Sequence, residues 1–229
     1  MGYRKNPLVT GEVYHIFTKS IAGFKIFNNQ SEFLRMKGLL RYYQYGNKKM
    51  RFSWFIEESN GKDSNEYEYY KEDEMIVQII AYCIMPTHLH LILRQLKESG
   101  ITNFMNIVLN SYSRYFNTKY KRRGPLWESR FKSVLVETDE QLLHLTRYIH
   151  LNPVTSFLVA KPGDWVFSSY DEYVSEAKAS ENMCLREDII KIEPFSYKEF
   201  VDARIDYQRE LAILKNLLFE EATTHTPAV

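Results

Sequence analysis

The apolar residues of this chain fall into short strand-like runs separated by longer stretches at helical spacing. Val13 to Lys19 (VYHIFTK) is rich in β-branched and aromatic residues and reads as a first strand. From Gln30 to Tyr45 the apolar positions Phe33, Met36, Leu39, Leu40 and Tyr43 follow the helical period, and Asn29 or Ser31 is placed to cap the helix. Phe52, Trp54 and Phe55 suggest a strand entering a loop or poorly ordered arm over Glu57–Glu74. Met75 to Met85 (MIVQIIAYCIM) is long, apolar and bounded by Pro86, which predicts a buried central strand. Pro86-Thr87 turns the chain, and His88 to Leu93 returns as the neighbouring strand. Ile101 to Tyr120 carries one stripe of Ile101, Phe104, Met105, Val108, Tyr112, Tyr115 and Phe116, and the run Lys121-Arg122-Arg123-Gly124-Pro125 ends that helix. Phe131 to Glu137 is a further strand. Thr138-Asp139-Glu140-Gln141 is a capping box, opening a helix that stops near Asn152-Pro153.

This order predicts an α+β fold, one antiparallel sheet with helices on one face. Beyond Pro153, Trp165, Phe167, Tyr170 and Tyr173 look like a packing segment. Residues 195–221 read as one or two helices with Phe200, Ile205, Leu211, Leu214, Leu217 and Leu218 as apolar positions. The division expected is a principal domain over 1–175 and a helical C-terminal extension over 176–229.

With 229 residues the chain can bury a full core. No run approaches the roughly 18 apolar residues of a membrane span, and the N-terminus lacks the apolar stretch of a signal peptide. Cys83 and Cys184 are far apart and match no metal or redox motif. A reduced, cytoplasmic location follows as the expectation, nucleoid-associated if DNA is the partner. The net charge of +1 conceals a strong asymmetry. Ser111 to Ser133 holds seven basic residues against the single acid Glu128, whereas Glu57 to Glu74 holds eight acids against Lys62 and Lys71. A local basic stripe suits a polyanion, although a charge run alone is more often a solvated helix face.

The chemistry concentrates in Pro86-Thr87-His88-Leu89-His90. Residues i and i+2 of a strand share a face, so both imidazoles can converge on one point, as metal ligands do. On the helix from Thr138, the residues His144, Tyr148 and Asn152 recur every four positions and form a stripe beside the apolar one. If that stripe covers the histidine face, two imidazoles, an amide oxygen and a phenol meet. Water and phosphate oxygens would then complete an octahedral Mg²⁺ or Mn²⁺. Taken singly, each residue has an ordinary reading: a hydrogen-bonded strand histidine, one tyrosine among 17, an asparagine at a helix C-cap.

Three blocks in this order resemble the single-tyrosine HUH transposases, and among them the REP-associated tyrosine transposases. They are Pro86-x-His88-x-His90, Gly124-Pro125-Leu126-Trp127-Glu128-Ser129-Arg130-Phe131, and Tyr148-Ile149-His150-Leu151-Asn152-Pro153-Val154. The resemblance runs from about residue 9 to about residue 175. It implies a ferredoxin-like (RRM-like) sheet with the histidines on a central strand. It also implies Mg²⁺ or Mn²⁺ on His88 and His90 with help from Asn152, and Tyr148 as the nucleophile that keeps a 5′ phosphate while a 3′ hydroxyl leaves. The partner implied is single-stranded or hairpin DNA from palindromic repeats, with no membrane, and the assembly admits a homodimer.

For DNA, Lys119, Lys121, Arg122, Arg123, Arg130 and Lys132 are the expected phosphate contacts, with Trp127 as a surface for stacking an unpaired base. His144 is a candidate for the tyrosine proton. Two other functions compete: a non-catalytic binder of hairpin or single-stranded DNA on the same fold, and a metallo-phosphoesterase using water. The second would want more carboxylates near the histidines than the sequence offers.

Overall fold

A computed structural model describes residues 7–46, 48, 50–59, 74–175, 182–186 and 188–213. Most of the acidic stretch, and the apolar positions Leu214, Leu217 and Leu218, lie outside the described residues. The frame is a four-stranded sheet in the order β2-β3-β1-β4, with every neighbouring pair antiparallel. The strands are β1 (Val13–Lys19), β2 (Val77–Met85), β3 (His88–Gln95) and β4 (Lys132–Leu135). Helix α1 (Gln30–Tyr43) and the short α2 (Phe52–Ser59) connect β1 to β2. Helix α3 (Gly100–Lys119) connects β3 to β4. This is the ferredoxin-like arrangement, and β3, which carries the histidine pair, is one of its two inner strands.

After β4 come α4 (Asp139–Thr155), the five-residue α5 (Tyr170–Val174), α6 (Pro194–Asp202) and a further helix over 205–213. The helix starts follow the sequence signals. The Asn29 side chain accepts from the Glu32 amide, and Thr138 accepts from the Gln141 amide. Each satisfies one of the donors that a helix N-terminus leaves free.

Strand periodicity sorts the sheet's side chains. Tyr14, Ile16, Leu89, Leu91 and Leu93 face α1 and α3, joining Phe33, Met36, Phe104, Val108 and Tyr112 in one core. Ile80, Ala81, Cys83 and Ile92 face the other way, into a second core with Ile149, Val154, Tyr173, Tyr197 and Val201. A register irregularity between Ile79 and Ala81 lets both Ile80 and Ala81 join that second core. The α+β fold is as read from the sequence, but its helices occupy both faces. Helices α4 to α6 cover the face opposite α1 and α3.

Three local expectations need correction. Strand β2 is an edge strand, not a central one, yet every one of its residues is buried. The chain after α4 pairs its free edge: the Ile84 amide donates to the Phe167 carbonyl, Ser169 to Tyr82 and Leu185 to Ile79, all at 2.9 Å. A covered edge of this kind reads in sequence like a central strand. Phe52, Trp54 and Phe55 start a helix, not a strand. Phe52 and Phe55, three apart, both reach Tyr42 on α1, with ring centroids at 5.4 and 4.8 Å. Finally, α4 runs through Pro153 to Thr155. Proline in the last turn removes only one backbone donor, and the helix closes beyond it, with the Leu158 amide on the Pro153 carbonyl and Phe157 at φ +54°. Asn152 therefore sits inside the helix, with Ser156 as the C-cap.

Candidate active site

The start of β3 and the end of β1 lie side by side, because β1 pairs antiparallel with β3 in the register Phe17 to His90 and Lys19 to His88. Their side chains on the face away from α1 and α3 form the floor of an open cleft of about 630 Å³. His15, Phe17 and Lys19 line it from β1, His88 and His90 from β3, Tyr148 and Asn152 from α4, and Glu128 from the loop before β4. His88, His90, Tyr148 and Asn152, 60 residues apart in sequence, are thus brought to one place.

The two imidazoles share a face, with ring centroids 5.0 Å apart and planes nearly perpendicular. Each uses its Nδ1 on a neighbouring side chain of the cleft wall. His88 Nδ1 lies 3.0 Å from Thr87 Oγ1, and His90 Nδ1 lies 3.0 Å from His15 Nε2. With both Nδ1 atoms engaged, each ring has its Nε2 left for a ligand. Burial lowers the pKa of His88 to about 4, with the nearby Lys19 charge adding to the effect. Burial, then the charges of His88, His15 and Lys19, lowers His90 to about 3. Both rings are therefore neutral at pH 7, the state in which imidazole binds a metal.

Helix α4 buries Leu142, Thr146, Ile149 and His150 against the rest of the protein, which turns Tyr148 and Asn152 toward the cleft. The Tyr148 ring stands edge-on to His90, centroids 5.8 Å apart, and to His15 at 6.4 Å, and is about half exposed. The amide nitrogen of Asn152 donates to the Tyr148 carbonyl at 3.2 Å, which leaves Oδ1 as the group free to accept or coordinate. Among the described residues no group of three or more His, Cys, Asp or Glu side chains is arranged to hold a metal ion. Two neutral imidazoles and one amide oxygen fit a hard divalent cation that takes its remaining ligands from phosphate and water. They do not make a closed structural site.

His144 is not among the residues lining the cleft. Its Nδ1 lies 2.7 Å from an Arg147 nitrogen and its ring packs on Phe200 of α6 at 5.6 Å. Four residues of a helix overshoot one turn, so a stripe at that spacing drifts around the axis.

The basic residues divide. Lys119 forms an ion pair of 2.7 Å with the fully buried Glu32. Arg122 is tied to its own loop, donating to Asn117 Oδ1 and the Pro125 carbonyl. Lys121, at φ +49°, ends α3 three residues before Gly124, and the Arg122 amide returns to the Asn117 carbonyl. Arg123 and Arg130 are exposed. Lys132 reaches over Phe17 at the edge of the cleft, 5.9 Å from its ring centroid. Trp127 is partly buried: its indole N–H donates to the Leu109 carbonyl and its ring lies against Tyr112.

The sequence reading missed His15, Phe17 and Lys19. The signal was present, since alternate residues of β1 place all three on the face opposite Tyr14 and Ile16. What the sequence did not supply was the pairing of β1 with β3.

A ferredoxin-like sheet whose inner strand presents two histidines to a tyrosine on a following helix has the features of the single-tyrosine transposase resemblance. Comparison with known proteins bears that resemblance out. The family model described as "Transposase IS200 like" matches residues 47–152, ending on Asn152. A Haemophilus influenzae protein provisionally described as a REP-associated tyrosine transposase is 32% identical over 105 residues. That match covers 41% of this chain and 58% of the relative's length. Among solved structures, a REP-associated tyrosine transposase bound to a REP hairpin aligns with 84% of this chain and 95% of its own, at 16% identity and a TM-score of 0.49. A transposase-like protein from Deinococcus radiodurans aligns with 65% of this chain and 95% of its own, at 16% identity and a TM-score of 0.35. Among the described residues no helix is long and apolar enough to cross a membrane.

Proposed function

We propose that this protein nicks and rejoins DNA through a covalent 5′-phosphotyrosine on Tyr148, acting on single-stranded or hairpin DNA such as palindromic repeats, in transposition or a process derived from it. One observation carries this reading: Tyr148 stands over His90 in the same cleft, and in the same chain, as His88 and Asn152. In the reaction the Tyr148 oxygen bonds to phosphorus as the bond from phosphorus to the 3′ oxygen breaks. The phenol loses its proton and the departing 3′ oxygen gains one. The tyrosyl ester conserves the energy of the broken phosphodiester, so a second 3′ hydroxyl can reverse the step without ATP.

His88, His90 and Asn152 Oδ1 would hold Mg²⁺ or Mn²⁺. Bound there, the ion supplies polarisation of the scissile phosphate and neutralises charge gathering on it. The protein's own residues do the rest. Thr87 and His15 hold the two rings through their Nδ1 atoms, as outer partners of metal-bound histidines do. His15 is a positioning residue: when His90 Nδ1–H donates to it, the His90 Nε2 lone pair is free toward the cleft. Lys19 and Lys132 place positive charge at the floor and edge of the cleft, where a DNA backbone must enter. Helix α4 holds the phenol over the floor.

The test is incubation of the protein with labelled single-stranded DNA from the flanks of its gene and Mn²⁺. A protein–DNA adduct that peptide mass spectrometry maps to Tyr148 is the expected result. Binding with no adduct under any divalent ion would favour the non-catalytic binder, and an adduct on another tyrosine would remove Tyr148 from its role.

A further inference from the structure

Tyr148 and Asn152 belong to two hollows at once. Besides the histidine cleft they line a further open cavity of about 350 Å³, with Thr155, Ser156 and Phe157 from the end of α4 and the turn after it, and Gln208 and Leu211 from the helix over 205–213. Sites that hold a small ligand run from about 300 to 1,000 Å³, so the cavity has room for one flat group. A DNA strand whose phosphate meets the Tyr148 oxygen brings a neighbouring nucleotide within reach of it.

The lining differs in kind from that of the histidine cleft. No charged side chain takes part, whereas Lys19 and Glu128 line the other hollow. A phosphate seeks cations; a nucleobase seeks neutral hydrogen-bonding groups and a flat apolar surface. The cavity offers both of the latter. Among the described residues the Gln208 carboxamide and the Ser156 hydroxyl have no hydrogen-bond partner. A carboxamide presents a donor and an acceptor side by side, the pairing that reads the edge of a base. Phe157 is the flat surface. Its ring is 51% exposed and makes no ring contact among the described residues. Its backbone is left-handed, at φ +54°, a conformation that is costly for a bulky residue and free for glycine. Folding gains little from a ring left in water on a strained backbone, so the use of that ring lies in what it meets in a complex.

We propose that this cavity is a nucleobase subsite: it takes the base of the nucleotide whose 5′ phosphate passes to Tyr148, with the Phe157 ring stacked on that base and the Gln208 carboxamide reading its edge. The proposal rests on the phosphotyrosine reading above and adds to it a determinant of where the strand is cut. That nucleotide is the one the covalent step leaves attached at the Tyr148 oxygen, and Tyr148 is itself a wall of the cavity. A seated base would hold the retained strand while the released 3′ end gives way to another.

The test uses single-stranded DNA with a cleavage site mapped through the Tyr148 adduct. The rate of adduct formation at subsaturating DNA would be measured on the normal strand and on one abasic at the retained nucleotide, for the unaltered protein and for Phe157→Gly. Glycine accepts φ +54° without strain, and thermal melts would show that the variant is folded. With the unaltered protein the abasic strand should react about 5- to 150-fold more slowly, the range for one base stacked on an aromatic ring. Phe157→Gly should slow the normal strand by a similar factor and the abasic strand hardly at all, because both changes remove the same contact. Gln208→Met should narrow the preference among the four bases at that nucleotide and leave the abasic rate unchanged. An abasic penalty that is the same with and without the Phe157 ring, or no penalty at all, would overturn the subsite, as would an unaltered base preference in Gln208→Met. Coupling of Phe157 to the base on the other side of the scissile bond would overturn the assignment to the retained nucleotide. Absence of any adduct from the unaltered protein would overturn the phosphotyrosine reading, and the subsite with it.

Discussion

Replacing His15 with phenylalanine isolates what the imidazole behind His90 contributes. Phenylalanine keeps an aromatic ring against His90, whose ring lies 5.2 Å from that of His15 and nearly parallel to it. It removes both ring nitrogens, including the Nε2 that faces His90 Nδ1 at 3.0 Å. His90 is 8% exposed, so water has little access to replace the lost partner. A buried N–H left without an acceptor costs about 1–3 kcal/mol, which corresponds to roughly 5- to 150-fold in a binding constant. The alternative open to His90 is to carry its proton on Nε2, which blocks the atom that would meet the metal. Both routes weaken binding, and outer partners of metal-bound histidines are worth about 10- to 100-fold in affinity. The measurement is a Mn²⁺ titration followed by electron paramagnetic resonance or calorimetry, with thermal melts to show that the variant is folded. His15→Gln, which retains an acceptor, should recover part of the affinity. A folded His15→Phe variant that binds Mn²⁺ as tightly as the unaltered protein would refute the reasoning.

Tyr148→Phe should abolish the covalent adduct while leaving DNA affinity within about twofold in an anisotropy assay, because the ring and its packing remain; a surviving adduct would contradict the assignment. Glu32→Ala should destabilise the protein by about 1–3 kcal/mol in urea unfolding, the scale for hydrogen bonds to a charged group, because the Lys119 left behind is one-third exposed. Burial alone would raise the Glu32 pKa, but hydrogen bonds from Lys119, Tyr120 and the Asn28 amide outweigh it and hold it at about 2. The stability this carboxylate adds is therefore present above pH 4.5 and is lost as pH falls toward 2. His150 has the opposite chemistry and the same acid sensitivity. Burial, then the Arg186 charge, lowers its pKa to about 3, so from pH 6.5 down to about 3 the unfolded chain binds a proton that the folded one does not. Stability should fall across that window, and His150→Gln should remove up to about 1.4 kcal/mol per pH unit of the slope; an unchanged slope would show that this ring does not titrate between the two states.

The elements were legible where local chemistry alone defines them. β1 falls on Val13–Lys19 because its residues favour an extended chain, and α1 begins at Gln30 because Asn29 caps it. The histidine pair was legible because a two-residue spacing on a strand has only one geometric outcome. What was not legible depends on contacts distant in sequence. β2 reads as central because Phe167, Ser169 and Leu185 pair with its edge, and nothing within Val77–Met85 reveals that pairing. The contact that seats Trp127 is to Leu109, 18 residues earlier, which takes its N–H. His15 is a lone histidine until strand pairing sets it behind His90. The Pro153 error was of another kind: a general bias against helix before proline was outweighed by the packing of the final turn, where Leu151 and Val154 are buried.

The seat of the tyrosine helix shows how the residues after α4 bear on the cleft. Tyr148 makes its close contacts with His90 and His15 through ring edges alone, and such contacts are too weak to fix a helix. The position of α4 must come from its buried side. There His150 bridges two later segments, with Nδ1 2.7 Å from the Tyr197 hydroxyl of α6 and Nε2 2.8 Å from Ser169 Oγ. Ser169 in turn bonds the backbone of Tyr82 on β2, so one chain of hydrogen bonds joins α6, α4 and the sheet. One turn before His150, the Arg147 guanidinium lies 4.0 Å over the Phe200 ring and donates to the Phe200 carbonyl. Past the end of α4, Arg209 donates to the Val159 carbonyl. The helix over 205–213 lines the open cavity of about 350 Å³, which Gln208 and Leu211 share with Tyr148 and Asn152. The phenol thus stands between the metal-ligand candidates on one side and the C-terminal helices on the other. The part of that network formed by His150, Tyr197, Ser169 and the Tyr82 backbone is buried and hydrogen-bonded throughout, the condition under which a polar network rigidifies a structure.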